Sequence, residues 1–238
     1  MLVAAAVCPH PPLIAPELAG AAAPELDDLR AACVSAVRSL AEAAPDAIIV
    51  TGAADGPAQA VSYGPDAGGS LAPWGAGVLV GAGVPVLPLS LTIGRLLADL
   101  AGVGPVAGYE AVPSDASPAA CARAGEAMAR CAERVALLVM GDGSAKLTVK
   151  SPGYHDPGAQ AYNEALARAL GDADPRALAA LDPGEAARMW VAGRAAFQVL
   201  AGAAGAGTGD GGTGLRGELL YDDAPYGVGY LVARWSLA

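Results

Sequence analysis

The stretch Met1-Leu2-Val3-Ala4-Ala5-Ala6-Val7-Cys8-Pro9-His10-Pro11-Pro12 decides the reading of this chain. Residues 1–7 are short and apolar, as a strand buried on both faces is. The prolines that follow can neither continue a sheet nor start a helix early, so His10 is expected to sit rigidly where the strand ends. A helix over 24–43 comes next, with Leu26, Leu29, Cys33, Val37 and Leu40 spaced by three and four. Asp27 and Asp28 suit its N-terminal dipole, and Pro45-Asp46 ends it. Ala47-Ile48-Ile49-Val50-Thr51 reads as a second buried strand, after which Gly52-Ala53-Ala54-Asp55-Gly56-Pro57 turns out of the sheet. Strand, helix and strand in this order make the unit of a parallel sheet with a right-handed crossover. Such sheets bind ligands beyond the C-terminal ends of their strands, where His10 is expected. Only two histidines occur, His10 and His155. Acid/base or metal chemistry therefore has few candidates, and a histidine so placed can also serve simply to hold a loop through backbone hydrogen bonds.

Working outward, residues 58–77 are turn-rich and predict a surface excursion. Residues 84–91 are extended, with two prolines that favour a sheet edge. Helices are expected around 93–100 and 118–134, then a strand at 135–140 that Gly141-Asp142-Gly143-Ser144 leaves. Further helices are expected at 159–170, 175–181 and 184–203. Residues 204–214 contain a G-x-G-x-x-G spacing, but no strand precedes it to present amides to a phosphate, so they read as a flexible loop. Residues 218–221 and 229–235 look like an antiparallel pair. Nothing resembles a linker between two cores. The expectation is one α/β domain over 1–238, with a central mixed, mostly parallel sheet and helices on both faces.

Composition narrows the function. The formal charge is −10, from 14 basic and 24 acidic residues, and no basic cluster is visible in the sequence. A chain of this kind repels phosphate backbones, so nucleic acid is not an expected partner. Mean hydropathy is +0.41, but alanine and glycine supply it, and aromatics are 5%. The longest apolar runs are strand-length, too short to cross a membrane. The first residues lack the basic start and long apolar core of a secretory signal, which predicts a cytoplasmic protein. Cys8, Cys33, Cys121 and Cys131 form no C-x-x-C pair, so neither zinc nor a redox motif is indicated. Cys33 and Cys131 are expected on apolar helix faces.

Three motifs in order along the chain carry a resemblance. They are Pro9-His10-Pro11-Pro12-Leu13-Ile14-Ala15-Pro16-Glu17, Gly141-Asp142-Gly143-Ser144-Ala145-Lys146-Leu147-Thr148 and Pro152-Gly153-Tyr154-His155-Asp156-Pro157. Together they resemble the class III extradiol ring-cleavage dioxygenase superfamily, in its subunit-B-like (LigB) fold and nearest its Memo-like branch. The resemblance implies a single LigB-like α/β domain. In active members it implies a ferrous ion held by two histidines and a carboxylate, open to a catecholate and oxygen, with a further histidine as acid/base.

Carried over residue by residue, the first metal histidine falls on His10. The second falls on Asp55, whose carboxylate suits a hard divalent metal. The acid/base position falls on Ala145, which cannot transfer a proton. The third ligand falls near Val191-Ala192-Gly193, where neither Val191 nor Ala192 can coordinate. His155 is a candidate replacement metal ligand, and Glu17, Asp222 and Asp223 are further acidic candidates. Asp142 and Lys146 are candidate catalytic residues, the first lining a pocket and the second offering positive charge to an anionic ligand. Each has an ordinary alternative: a turn for Asp142, solvent for Lys146, a helix cap for Asp156, packing for Tyr226.

So read, the resemblance implies a divergent member with a small-molecule pocket around His10 and without standard ferrous ring cleavage. The cofactor it suggests is a divalent metal, Fe(II). Two alternatives stand beside it. One is an active Fe(II) dioxygenase using His10, Asp55 and His155 or a partner subunit; the other is a non-enzymatic interaction protein on the same fold. Copies of this fold often form an interface, which allows a homo-oligomer. His10, Asp55 and the 141–145 turn are expected to converge at one edge of the sheet.

Overall fold

Every residue of β1 (Leu2–Cys8) is buried, because strands pair with both of its edges and helices cover both of its faces. The computed structural model describes residues 1–54, 59–205 and 214–238. After β1 come a helical turn, α1 (Pro16–Ala19), and a 3-10 stretch leading into α2 (Asp27–Glu42). β2 (Ala47–Ala53) is followed by three short strands, β3 (Val61–Tyr63), β4 (Gly69–Ser70) and β5 (Leu79–Val80). Then come α3 (Leu89–Ala101), β6 (Gly108–Val112), α4 (Pro118–Ala129) and β7 (Val135–Met140). Four helices follow: α5 (Ala159–Gly171), α6 (Pro175–Ala179), α7 (Pro183–Arg188) and α8 (Arg194–Gly205). β8 (Leu215–Asp223) and β9 (Tyr230–Leu237) close the chain as a hairpin.

The main sheet has seven strands in the order β3-β6-β2-β7-β1-β9-β8. β6, β2, β7 and β1 run parallel; β3, β9 and β8 each join antiparallel to their neighbour. Side chains alternate between two cores. Val7, Leu137, Val139 and Trp235 face α4, α5 and α8, whereas Ala6, Cys8, Leu138 and Met140 face α2 and α3. α2 packs through Leu29, Cys33, Val37 and Leu40, all fully buried, as their spacing predicts. The result is a single α/β domain with a mixed, mostly parallel sheet and helices on both faces. Among the described residues no helix is long and apolar enough to cross a membrane.

Several expectations need correcting. Residues 84–88 form no named strand; only Pro85 bridges to Gly68, and α3 begins at Leu89. β6 has no counterpart in the sequence reading, although it pairs with β2. The expected 118–134 helix stops at Ala129, which leaves Cys131 exposed beyond its end while Cys33 is buried. α8 continues through Gly205, so 204 and 205 are helical, and most of the expected flexible loop lies outside the described residues.

The largest departure is at 184–203, where one expected helix is two, broken between Arg188 and Arg194. α7 ends in a Schellman-type turn, with the Val191 amide donating to the Ala186 carbonyl at 2.9 Å. Trp190 takes the left-handed position there, with φ of 54°. Glycine is usual at such a place, because a side chain adds about 1–2 kcal/mol of steric cost. Tertiary partners hold the break: the Met189 carbonyl accepts from Ser144 Oγ at 2.7 Å, and the Gly193 amide donates to the Asp142 carbonyl at 2.9 Å.

Candidate functional site

β1 and β7 are parallel neighbours, so the segments that leave them emerge side by side. The Gly141 amide still donates to the Cys8 carbonyl at 2.9 Å, one step past the ladder. There the chains diverge, and Asp142 turns towards His10. The His10 amide donates to Asp142 Oδ1 at 2.8 Å, and His10 Nδ1 lies 3.5 Å from the same oxygen. Pro9 and Pro11 flank His10 and restrict its backbone, and the Ile14 amide closes a turn onto the Pro11 carbonyl at 3.0 Å. His10 is 8% exposed, and its buried Nδ1 has no hydrogen-bond partner among the described residues. The carboxylate is anchored through the backbone and presented to the ring.

Neutral, buried groups surround that carboxylate. Burial pushes the Cys33 thiol well above its ordinary value, with the neighbouring Cys8 thiol adding through a hydrogen bond and Asp142 through its charge. Burial likewise raises the Tyr230 phenol well above its usual range, and the Asp142 charge reinforces it. Cys33 and Tyr230 are therefore protonated at neutral pH, beside the Asp142 carboxylate.

The turn after Asp142 is fixed from two sides. The Gly143 amide donates to the Gly229 carbonyl and the Gly229 amide to the Ser144 carbonyl, both at 2.8 Å. A Cβ on either glycine would collide with Asn163 Oδ1, so this close approach needs glycine at both positions. Ser144 is fully buried and its hydroxyl is committed to the Met189 carbonyl, a structural role. Lys146 extends over the Trp190 ring, with Nζ 5.9 Å from the centroid. Lys146 is therefore held by an aromatic face and is not simply solvated.

The other candidates separate. His155 is exposed. Asp156 organises the start of α5, its Oδ1 accepting from the Gly158 amide at 2.9 Å, with Arg188 Nη1 3.7 Å from its Oδ2. Glu17 is exposed on α1, and Asp222 and Asp223 are exposed on β8. Tyr226 donates its hydroxyl to Glu25 Oε2 at 3.0 Å. Asp55 lies outside the described residues. Residues 191–193 do reach the site: Gly193 meets the Asp142 carbonyl, and its Cα stands 2.7 Å from where a Cβ on Gly141 would be. Val191 is buried and Ala192 exposed, and neither carries a donor for a metal.

Among the described residues no three His, Cys, Asp or Glu side chains gather as a metal-ligand set. Asp142 Oδ1 is already engaged by the His10 amide. The described residues thus do not fit a ferrous centre of the two-histidine, one-carboxylate kind.

A crystal structure of the uncharacterized protein JW3007 from Escherichia coli K12 superposes on this chain with a TM-score of 0.51. The match covers 98% of this chain and 99% of that one, at 12% sequence identity. The two share a fold. No family model matches this chain, and no curated protein matches it.

The sequence reading missed Tyr230, the Cys8–Cys33 contact and the break before Gly193. Asn163 carried a usable signal, because it interrupts an otherwise apolar stripe of Ala159, Leu166, Ala167 and Leu170 on α5. A polar residue in such a stripe marks a buried hydrogen-bond requirement.

Proposed function

We propose that this chain is a divergent, class III extradiol dioxygenase-like protein of LigB type, in which the His10–Asp142 pair serves a small-molecule site without standard ferrous ring cleavage. The observation that carries this reading is the double engagement of Asp142, which accepts the His10 amide and faces His10 Nδ1 from 3.5 Å. A carboxylate so placed fixes the backbone that carries the imidazole and stands beside the ring. The ring's other nitrogen, Nε2, is then the atom that takes a proton from a ligand or returns one. Lys146, steadied over Trp190, supplies positive charge for an anionic group on that ligand. The resemblance of the three motifs and the α/β architecture support the family reading. The free, buried thiols of Cys8 and Cys33, which touch, suit a reducing, cytoplasmic compartment.

The apolar residues at 145 and 191–192 argue against ring opening. Loss of a general acid/base group alone costs about 10²–10⁴-fold. The test is anaerobic reconstitution with ferrous iron, followed by oxygen uptake on a panel of catechols, with proton NMR of the two histidines on the same samples. The expected result is no oxygen uptake and a ligand-dependent shift of the His10 signals alone. Turnover abolished by His10→Ala would refute the reading in favour of an active dioxygenase. Failure of every compound to move the His10 signals would favour the interaction protein.

A further inference from the structure

α2 presents a second face, away from its core stripe, that carries Arg30, Val34 and Arg38 at four-residue intervals. Across from it stands the β8–β9 hairpin. Arg216 and Glu218 fall on one side of β8, opposite their partners Ser236 and Arg234 on β9. Two adjoining cavities of about 630 and 820 Å³ occupy this groove and share Glu42 and Arg234 on their walls. Arg30 and Arg38 line the first; Arg134, Arg216 and Glu218 line the second.

Five arginines therefore meet two lining carboxylates, on a chain whose acidic residues outnumber its basic ones by 24 to 14. These arginines are scattered from residue 30 to residue 234, so the sequence shows no basic cluster where the fold builds one. Part of the charge is compensated. Arg30 pairs with Asp27, and Arg234 pairs with Glu218 through Nε at 2.8 Å. Asp46 accepts the backbone amide of Arg134.

The remainder is not compensated. Arg134 donates to the carbonyls of Ala43 and Ala44 at 2.6 and 3.0 Å, and Arg38 Nε to the Ala101 carbonyl at 3.3 Å. Such bonds position a guanidinium without neutralising it. Arg38, Arg134 and Arg216 have no side-chain ion pair among the described residues, and Glu42 is the carboxylate left among them. The first cavity also has an aliphatic wall, with Val34 half-buried and Leu100 48% exposed.

We propose that this groove binds a phosphorylated organic molecule. Guanidinium forks match phosphate oxygens in bidentate pairs, and the cavity volumes are those of small-ligand sites. Val34 and Leu100 receive the uncharged body of the ligand while Arg38, Arg134 and Arg216 hold its phosphates. Val3, near the start of β1, lies on the groove wall, whereas His10 follows the other end of that strand. The proposal is therefore independent of the reading of the His10 site.

The test uses the full chain and ATP with EDTA, followed by titration calorimetry. At about 50 mM salt the expected result is saturable binding with Kd below about 1 mM. Adenosine, which lacks phosphates, should not bind at the same concentrations. Raising the salt to about 500 mM should weaken ATP binding tenfold or more. The double variant Arg38→Ala/Arg216→Ala should lose tenfold or more. Ser35→Glu, which adds an anion on the wall of the first cavity and keeps every arginine, should weaken binding as well, and thermal melts check that both variants fold. No saturable ATP binding up to about 10 mM, equal binding of adenosine, or unchanged affinity in both variants would overturn the proposal.

Discussion

Asp142→Ala removes the acceptor that the His10 amide faces at 2.8 Å and the carboxylate that stands beside its ring. Hydrogen bonds to ionised partners contribute about 1.5–3 kcal/mol, and leaving a buried amide unsatisfied is the same loss seen from the other side, not an addition to it. The Asp142 side chain is 15% exposed, so water cannot readily take the place of the lost oxygen. The neighbouring Cys33 and Tyr230 are neutral and bring no charge to replace it. The expected destabilisation is about 1.5–3 kcal/mol, a fall in Tm of about 3–12 °C for a chain of this size. Asp142→Asn keeps an oxygen acceptor of the same shape and loses the charge, so it should cost about half as much. Urea titrations at neutral pH, followed by far-UV circular dichroism with a common m-value, measure both changes. Proton NMR provides an internal control, since the His10 signals should move and those of the exposed His155 should not. Asp142→Ala within about 0.5 kcal/mol of the parent, the usual spread of surface changes, would refute the anchoring argument. So would Asp142→Asn proving as harmful as Asp142→Ala.

Gly193→Ala should destabilise by about 1–3 kcal/mol, because its Cβ would strike the fully buried Phe197 ring and stand 2.9 Å from the Asp142 carbonyl; a displaced His10 NMR signal would report the same push. Ala44→Gly should stabilise by about 0.5–1 kcal/mol, since Ala44 is exposed and left-handed, with φ of 45°, and a rise in the urea midpoint checks it. Tyr162 is pushed up to about 12 from 10.0, first by burial and then by the charge of Glu185, and its buried hydroxyl has no partner among the described residues. A proton held more tightly when folded gives stability that is fully present below the unfolded value and lost as pH climbs through the folded one. Between pH 10.0 and about 12 the parent should therefore lose more stability than Tyr162→Phe, as read from urea midpoints across that range.

The parallel core was legible because buried strands and α2 declare themselves by period. Residues 2–8, 47–50 and 135–140 are continuous apolar runs, and Leu29, Cys33, Val37 and Leu40 repeat as a helix must. β6 was not legible, because Gly108-Tyr109-Glu110-Ala111-Val112 has neither a long apolar run nor clean alternation. His10 and the 141–144 turn were legible as a site because each follows a strand of that core directly. The break at 189–193 was not. Alanine-rich sequence on both sides has high helix propensity, and the hydrogen bonds that stop the helix come from Asp142 and Ser144, far away in the chain. The arginine groove was invisible for the same reason, since its members share a wall only after folding.

The position of β1 also sets an order of events during synthesis. It is made before the other strands of the sheet, yet its neighbours come late: Leu2 pairs with Val135, and Ala4 with Ser236. At about 5–20 residues per second a chain of this length takes roughly ten seconds to a minute to emerge. Until β7 has emerged neither edge of this apolar strand has a permanent partner, and the edge that β9 takes stays open until the end of that time. Folding that waits for such distant contacts is slow and exposed to aggregation. A nascent chain stalled before residue 230 should therefore need a chaperone to shield Leu2–Cys8, and release of the completed C-terminal hairpin is the step that ends this dependence.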